Sequence, residues 1–505
     1  MNFDKGQGKH KPVKSGDFAG KKVLIMGLGL HGGGIESARY LAACGAEITV
    51  TDLRDEKILA KSIETLKTIP IRYVMGRHEI EDFKKADIVI KNPGVRPDSP
   101  FLKAAKRVET DLSIFLSVNP ARILGVTGSK GKSTTSSALF WVLNESVQKK
   151  TGFLSGKAYL GGNITISPLS FLDELEEKDT VVLELSSFQL GDLRGQNLLR
   201  PRTALITPIM RDHLDRYGTM EAYVADKHVI CENQEKEDAT IVKDDDWGKG
   251  FLNKSRGRPL IYSEKPLGDG ISGAWISDPG GSGFARLWEI SDKITEIVPA
   301  HPLVPGFHQK QNLLAAGLAL LELGMDADFI RESLGRFPGI EHRLEFFHES
   351  EGIRFYNDSA ATIPEAAAAA IAAFDTYSRT DSGSGAGSGR EAGQISAGSL
   401  VLVTGGTDKG LDFTPLAAAA VKAREIILLA GSGTEKLKNL FERDGIKYRG
   451  PFDSVDGAVK AVLEAAVKGD SVVLSPGCTS FEMFKNEFDR GTKWKEGVKQ
   501  ITNNK

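Results

Sequence analysis

The chain has 505 residues, 40% hydrophobic and 26% charged, with 65 basic against 67 acidic side chains. That near-neutral balance excludes a global electrostatic pull toward nucleic acid or an anionic membrane, and no run approaches the ~18 apolar residues of a membrane span. Three separated cysteines without a CxxC pair, and a polar Lys/Gly-rich stretch from Met1 to Lys22, point to a cytoplasmic protein with no disulfide framework and no signal peptide. The length predicts three domains, drawn at residues 1–119, 120–339 and 340–505, and a monomer is expected.

In the first domain, Lys22 to Met26 reads as a buried strand. Gly27-Leu-Gly-Leu-His31-Gly32 follows, then a helix from Ile35 to Cys44, and a second strand from Glu47 ending at Asp52. A G-x-G-x-x-G with an acidic residue about twenty positions on is the dinucleotide fingerprint. Alone it suggests an NAD-linked dehydrogenase. Arg54, two residues past Asp52, suits a nucleotide with more phosphate or a different base. A third strand, Ala86 to Ile90, leads to the turn Lys91-Asn-Pro-Gly94-Val, at the strand end where ligands of open parallel sheets gather.

The central domain opens on Ile123-Leu-Gly-Val-Thr-Gly128-Ser129-Lys130-Gly131-Lys132-Ser133-Thr134-Thr135. An apolar run, a glycine-rich loop and an Ala/Leu-rich segment predict a strand, a phosphate-cradling loop and a helix N-terminus. Backbone N–H groups turn inward on an anion, Lys132 adds a mobile cation, and the Ser133 hydroxyl is a magnesium ligand. Val126 stands where the strict motif has its first glycine. Val181 to Leu183 is a buried strand that delivers Glu184 to its C-terminal end, where a carboxylate can hold magnesium. Leu185-Ser-Ser-Phe-Gln189 follows. Thr203 to Thr207 is a further strand, and His213 lies just past it. A helix from Met220 to Cys231 carries Lys227, which by charge alone is a surface lysine. Residues 264–285 read as a small β-type excursion. Gln309 and Asn312 open an Ala/Leu helix with both amides on one face.

In the third domain, Arg343 leads into Asn357-Asp358-Ser359-Ala360-Ala361-Thr362 and then an alanine-rich helix from Pro364 to Phe374. Residues 380–399 are a Gly/Ser-rich insertion expected to form a flexible loop. Strands at Leu400 to Thr404, Glu425 to Leu429 and Ser471 to Leu474 alternate with helices, which predicts a third α/β unit. Their loops place Lys409 and Ser480 on one sheet edge.

Assembled, these segments resemble the Mur ligases through all three domains in order. The resemblance is narrowest to the branch that joins D-glutamate to UDP-N-acetylmuramoyl-L-alanine in peptidoglycan synthesis. It is carried by Gly27 to Leu30, Thr127 to Ser133, Leu183 to Gln189, Asp212-His-Leu-Asp-Arg-Tyr217, Asn357-Asp-Ser359 and Ser475 to Asn486. It implies a Rossmann-like N-terminal domain, a central P-loop ATPase-like parallel-sheet domain and a Rossmann-like C-terminal α/β domain. The implied cofactors are ATP and Mg2+, and the implied partners are the two small-molecule substrates. Lys132, Glu184, His213 and Lys227 would be the catalytic group. Ser133, Glu184, His213 and Lys227 would hold metal, the lysine as a carbamate. Gly128 to Thr134, Asn312, Arg343 and Asp358 would hold ATP. Asp52, Arg54, Gly94, Asn163 and Gln189 would contact the UDP substrate, and Thr362, Lys409 and Ser480 the glutamate. The chain departs from the family pattern at His31, Lys130, Gln309 and, above all, Ala360, where a lysine is usual. Addition of L-glutamate, or folate extension by a ligase of the same superfamily, therefore stays open.

Overall fold

The computed structural model describes residues 15–30, 32–164, 166–380 and 400–503. His31 and residues 381–399 of the expected insertion lie outside the described residues. Three sheets succeed one another along the chain.

The first sheet contains β1 (Lys22–Met26), β2 (Glu47–Asp52), β3 (Ile71–Met75), β4 (Ile88–Lys91) and β5 (Val108–Glu109), in the order β3-β2-β1-β4-β5. All its pairings are parallel. The strand order reverses between β1 and β4, so the crevice of a doubly wound sheet opens at the ends of those two strands. Sequence patterning missed β3 and β5. The first is only partly buried and the second spans two residues.

The second sheet comprises β6 (Arg122–Thr127), β7 (Ala158–Gly162), β8 (Thr180–Glu184), β9 (Thr203–Ile206), β10 (Ala239–Lys243), β11 (Arg258–Ser263), β12 (Gly273–Trp275), β13 (Gly283–Arg286) and β14 (Thr295–Val298). The order is β14-β13-β12-β11-β10-β9-β6-β8-β7, parallel from β7 to β12 and antiparallel at the β12–β13–β14 edge. The β-type excursion expected between 264 and 285 takes in β12 and most of β13, while β14 lies beyond it. Val181, Val182 and Leu183 are fully buried, as strands covered on both faces require. The central β6 lies between β8 and β9, so the loops after these three strands meet at one edge.

The third sheet pairs β15 (Glu345–Ser350), β16 (Ile353–Asn357), β17 (Leu400–Thr404), β18 (Glu425–Leu429), β19 (Arg449–Phe452) and β20 (Ser471–Leu474), in the order β15-β16-β20-β17-β18-β19. Only the β15–β16 hairpin is antiparallel.

The cores are not divided three ways. One hydrophobic cluster runs from Phe18 and Val23 through Ile123 and Val181 to Phe251, so the first sheet and one face of the second share a core. The third sheet buries its two faces with residues from Leu344 onward. Among the described residues no helix is long and apolar enough to cross a membrane.

Candidate active site

Four residues separate the end of β6 from the helix Lys132–Gln148. Gly128 and Gly131 adopt φ of 143° and 90°, which side-chain-bearing residues rarely do. A Cβ on Gly128 would lie 1.9 Å from Thr207 Oγ1, and one on Gly131 would lie 2.3 Å from Asn312 Oδ1. The loop is therefore pressed between the end of β9 and the helix Phe307–Glu322. Asn312 Nδ2 donates to Gln309 Oε1 at 3.3 Å, so the two amides do share a face. Ser129 is committed to the protein: its hydroxyl donates to Met210 O and accepts from Met210 N, and its amide donates to Pro208 O. Lys130 is exposed, while Ser133 and Thr134 are half-buried in the first helical turn.

Two lysines converge on one carbonyl. Lys132 Nζ donates to Gly128 O and Ser129 O at 3.0 Å each. Lys227 Nζ donates to Gly128 O at 2.8 Å and sits 4.6 Å over the Tyr223 ring. The helix carrying it ends at Lys227, followed by a 3₁₀ turn, His228–Ile230. Its side chain is not on the surface, as charge alone suggested, but 1% exposed. Burial, reinforced by the Lys132 charge, pulls its amine down to about 7. Burial lowers Lys132 as well, against the pull of Glu184 and Asp212.

Glu184 is buried at the end of β8. Asn163 Nδ2 donates to Oε1 at 2.9 Å, while Oε2 is buried without a hydrogen-bond partner. An unsatisfied buried carboxylate oxygen is costly, and a cation beside it removes the cost. Among the described residues no group of three or more His, Cys, Asp or Glu side chains is placed to hold a metal ion. The unpartnered Glu184 oxygen beside the phosphate loop fits magnesium, which takes one or two carboxylates and fills the rest of its shell with phosphate oxygens and water. His213 follows β9 at φ 51°, with its ring 4.9 Å from Phe188 and 6.2 Å from Tyr223.

Several expected substrate contacts are occupied within the protein. Gln189 Oε1 accepts from the Ser186 amide and hydroxyl, and Ser186 Oγ accepts from the Gln189 amide. This is a capping box for the helix Ser187–Leu193, and its Ser-x-x-Gln signature is legible in the sequence. Arg54 forms a bidentate pair with Asp52. Burial raises the carboxyl, but the Arg54 bonds outweigh it and leave Asp52 below the usual range. Asp52 also accepts from the Gly29 amide. The Gly94 amide donates to Asn92 Oδ1. In the third sheet, Asp358 accepts from Ser475 Oγ and the Leu344 amide, and burial raises its carboxyl to about 7. Arg343 is exposed beside it, Thr362 is half-buried and Lys409 is exposed. The loops of Lys409 and Ser480 meet through a Thr407–Thr479 bridge, and Ser480 Oγ is buried without a partner.

Three family models match in chain order: the Mur ligase MurD-like N-terminal domain at residues 21–113, the Mur ligase middle domain at 126–320 and the Mur ligase glutamate ligase domain at 342–478. The chain belongs to the Mur ligase family. It is 37% identical to a UDP-N-acetylmuramoylalanine–D-glutamate ligase of Treponema pallidum, covering 95% of this chain and 98% of that one. A protein of the same name from a Roseiflexus species is 38% identical over 96% of this chain and 100% of its own. A UDP-N-acetylmuramate–alanine ligase of Thermotoga maritima shares the fold with a TM-score of 0.53 at 18% identity, covering 96% of this chain and 100% of that one.

In this Mur ligase the residue that sequence reasoning overlooked is Arg490. It is 1% exposed in the helix Glu487–Asn503. Its guanidinium donates to Ser359 Oγ and O and to the carbonyls of Cys478 and Thr479 at 2.9–3.2 Å. It lines a cavity with Gly405, Gly406, Thr407, Ser480 and Phe484. Arginine in the first turn of a polar helix carries no sequence signal, because its carbonyl partners are backbone.

Proposed function

We propose that this Mur ligase is an ATP-dependent amide-forming enzyme that adds D-glutamate to UDP-N-acetylmuramoyl-L-alanine, in cytoplasmic peptidoglycan precursor synthesis, as a monomer. The observation that carries the chemistry is the convergence of Lys132, Lys227 and the unsatisfied Glu184 carboxylate on the Gly128 loop. The near-full-length likeness to D-glutamate ligases supports the choice of amino acid. The first domain, 1–119, would take the UDP substrate, 120–339 the ATP, and 340–505 the glutamate.

The reaction begins when the substrate's alanyl carboxylate attacks the γ-phosphorus of ATP. The bond to the β-phosphate oxygen breaks, and ADP and an acyl phosphate form. The glutamate amine then attacks the acyl carbon, loses a proton, and the tetrahedral intermediate expels phosphate to leave the amide. Phosphoryl transfer of this kind needs alignment and charge neutralisation more than covalent help. Lys132 would leave its two loop carbonyls for the β- and γ-phosphates, and the loop amides from Gly128 to Thr134 would cradle the phosphates. Ser133, Glu184, His213 and Lys227 would hold Mg2+, whose chemistry is neutralisation of charge on the phosphates and the acyl oxygen. Lys227 as a free amine is a poor partner for that ion. Its amine is in the range where half is uncharged near neutral pH, which suits reaction with CO2 to a carbamate, an oxygen ligand. Asn312, Arg343 and Asp358 would flank the adenosine. Asp52, Arg54, Gly94, Asn163 and Gln189 would face the UDP substrate. Thr362, Lys409 and Ser480 would hold the glutamate carboxylates.

Phosphate release with ATP, magnesium and UDP-N-acetylmuramoyl-L-alanine, measured against D-glutamate, L-glutamate and D-aspartate in turn, tests the reading. Turnover with D-glutamate alone is expected. Turnover with L-glutamate in preference, or none with either, overturns it.

A further inference from the structure

The crevice between β1 and β4 holds a cation that the ligase reading leaves unused. Lys91 ends β4, is 3% exposed, and lines a cavity with Gly27, Gly33, Gly34, Asn92 and Asp111. The cavity lies at the point where the first sheet reverses strand order, and at the start of the helix Gly33–Ala43. Anionic groups of nucleotides are held at such places. Lys91 Nζ pairs with Asp192 Oδ2 at 2.6 Å and makes a long bond of 3.4 Å to Asn92 O. An ammonium has three N–H donors, so one has no partner among the described residues. Asp192 lies on the helix Ser187–Leu193, so the pair also spans the first and second sheets.

As glue the pair is poor. A buried ion pair often holds no better than an apolar pair of similar volume. Burial lowers the Lys91 ammonium despite Asp192, and raises Asp192 to about 6 despite Lys91. Each member is pushed toward neutrality, so the environment is short of compensation for the cation. Asp111, the other carboxyl lining the cavity, supplies only a minor part of it. Burial raises Asp111, and its oxygens accept from Ser167 Oγ and the Leu112 amide. Arg54, just past the end of β2, has its Nε/Nη2 edge on Asp52.

We infer that Lys91 is a binding residue for the diphosphate of the nucleotide substrate, its ammonium held at the strand-order reversal by Asp192 and donating its remaining N–H to a phosphate oxygen. This rests on the UDP-substrate reading above. It adds a residue on which the same cation serves the ligand in the first domain and the helix of the second. A second anion at the ammonium makes Asp192 a competitor as well as a support.

The test is calorimetric binding of UDP and of uridine to the full chain. Lys91→Met is expected to weaken UDP on the order of tenfold to a hundredfold, the worth of a charge-assisted hydrogen bond, and to leave uridine unchanged. Lys91→Arg should recover part of the loss. Asp192→Asn should bind UDP as tightly as the wild type or tighter. A purely structural pair predicts the opposite, with Asp192→Asn as damaging as Lys91→Met. The double variant Lys91→Met/Asp192→Leu keeps the result interpretable if single variants fold poorly: it should regain thermal stability and still bind UDP weakly. Equal UDP affinity in wild type and Lys91→Met, or restored affinity in the double variant, overturns the inference alone. A wild-type chain that binds neither UDP nor UDP-N-acetylmuramoyl-L-alanine overturns the substrate reading beneath it.

Discussion

Replacing Lys227 by methionine removes a buried titration, and the size of the effect follows from its surroundings. The amine falls from 10.5 to about 7, chiefly through burial and then through the Lys132 charge. Each tenfold in proton affinity is worth about 1.4 kcal/mol, so the folded protein disfavours the charged form by about 5 kcal/mol. In the unfolded chain the group keeps its proton up to about pH 10.4. Between pH 7 and that value the unfolded state therefore binds more protons, and stability rises with pH. The contribution is complete above the unfolded pKa and is lost as pH falls through about 7. Integrated from pH 7 to pH 9, this one group gives about 2 kcal/mol. Denaturant unfolding of wild type and Lys227→Met, in CO2-free buffer at pH 6 to 9, measures it. The variant should be the more stable at pH 6, by about the charging cost less ~1 kcal/mol for the lost bond to Gly128 O, and the gap should close by about 2 kcal/mol between pH 7 and 9. A pH-independent difference refutes the reasoning.

Two further substitutions probe the two ends of the site. Gly131→Ala places a Cβ 2.3 Å from Asn312 Oδ1 at a backbone φ of 90°, so the KM for ATP should rise at least about tenfold with unchanged affinity for UDP; the strain alone is worth about 1–2 kcal/mol. Equal ATP kinetics would mean the loop does not hold the phosphates. Arg490→Met cuts the bonds to Ser359, Cys478 and Thr479. It should raise the KM for glutamate by about tenfold or more while ATP binding stays unchanged, with partial recovery in Arg490→Lys. A lowered unfolding midpoint with an unaltered glutamate KM would reduce Arg490 to a structural role.

The fold was legible wherever buried strands ran straight into loops of glycine or serine: β1, β6, β8 and β20 carry continuous apolar runs because both faces are covered. Strands β3, β5 and β19 were not, since edge positions are half solvated and lose the pattern. The phosphate loop was legible because glycine at positive φ leaves a mark in sequence. Lys227 was legible only through the family resemblance, because its burial depends on reaching Gly128 across the fold, and nothing about the residue type distinguishes a buried lysine from a solvated one. The reading of Gln189 passed over a local competitor. A Gln three residues after a Ser at a helix start is already a cap, and the structure uses its carbonyl oxygen that way. Asp52 and Arg54 were read as two ligand contacts, but residues two apart past a strand end can also satisfy each other, as they do here.

The shared hydrophobic cluster has a consequence for how the protein is made. The helix Gly33–Ala43 packs on β1 and β2 as soon as they emerge, but the members of the cluster extend to Phe251, so its seam with the second sheet is completed only later. At roughly 5–20 residues per second, that seam waits on the order of ten seconds between the emergence of Phe115 and that of Phe251, open to chaperones or to premature association. The third unit has no such wait on distant sequence before it, since its core residues all follow Leu344. Vectorial synthesis thus favours one slow, late closure of the first two sheets together, followed by a separate collapse of the third.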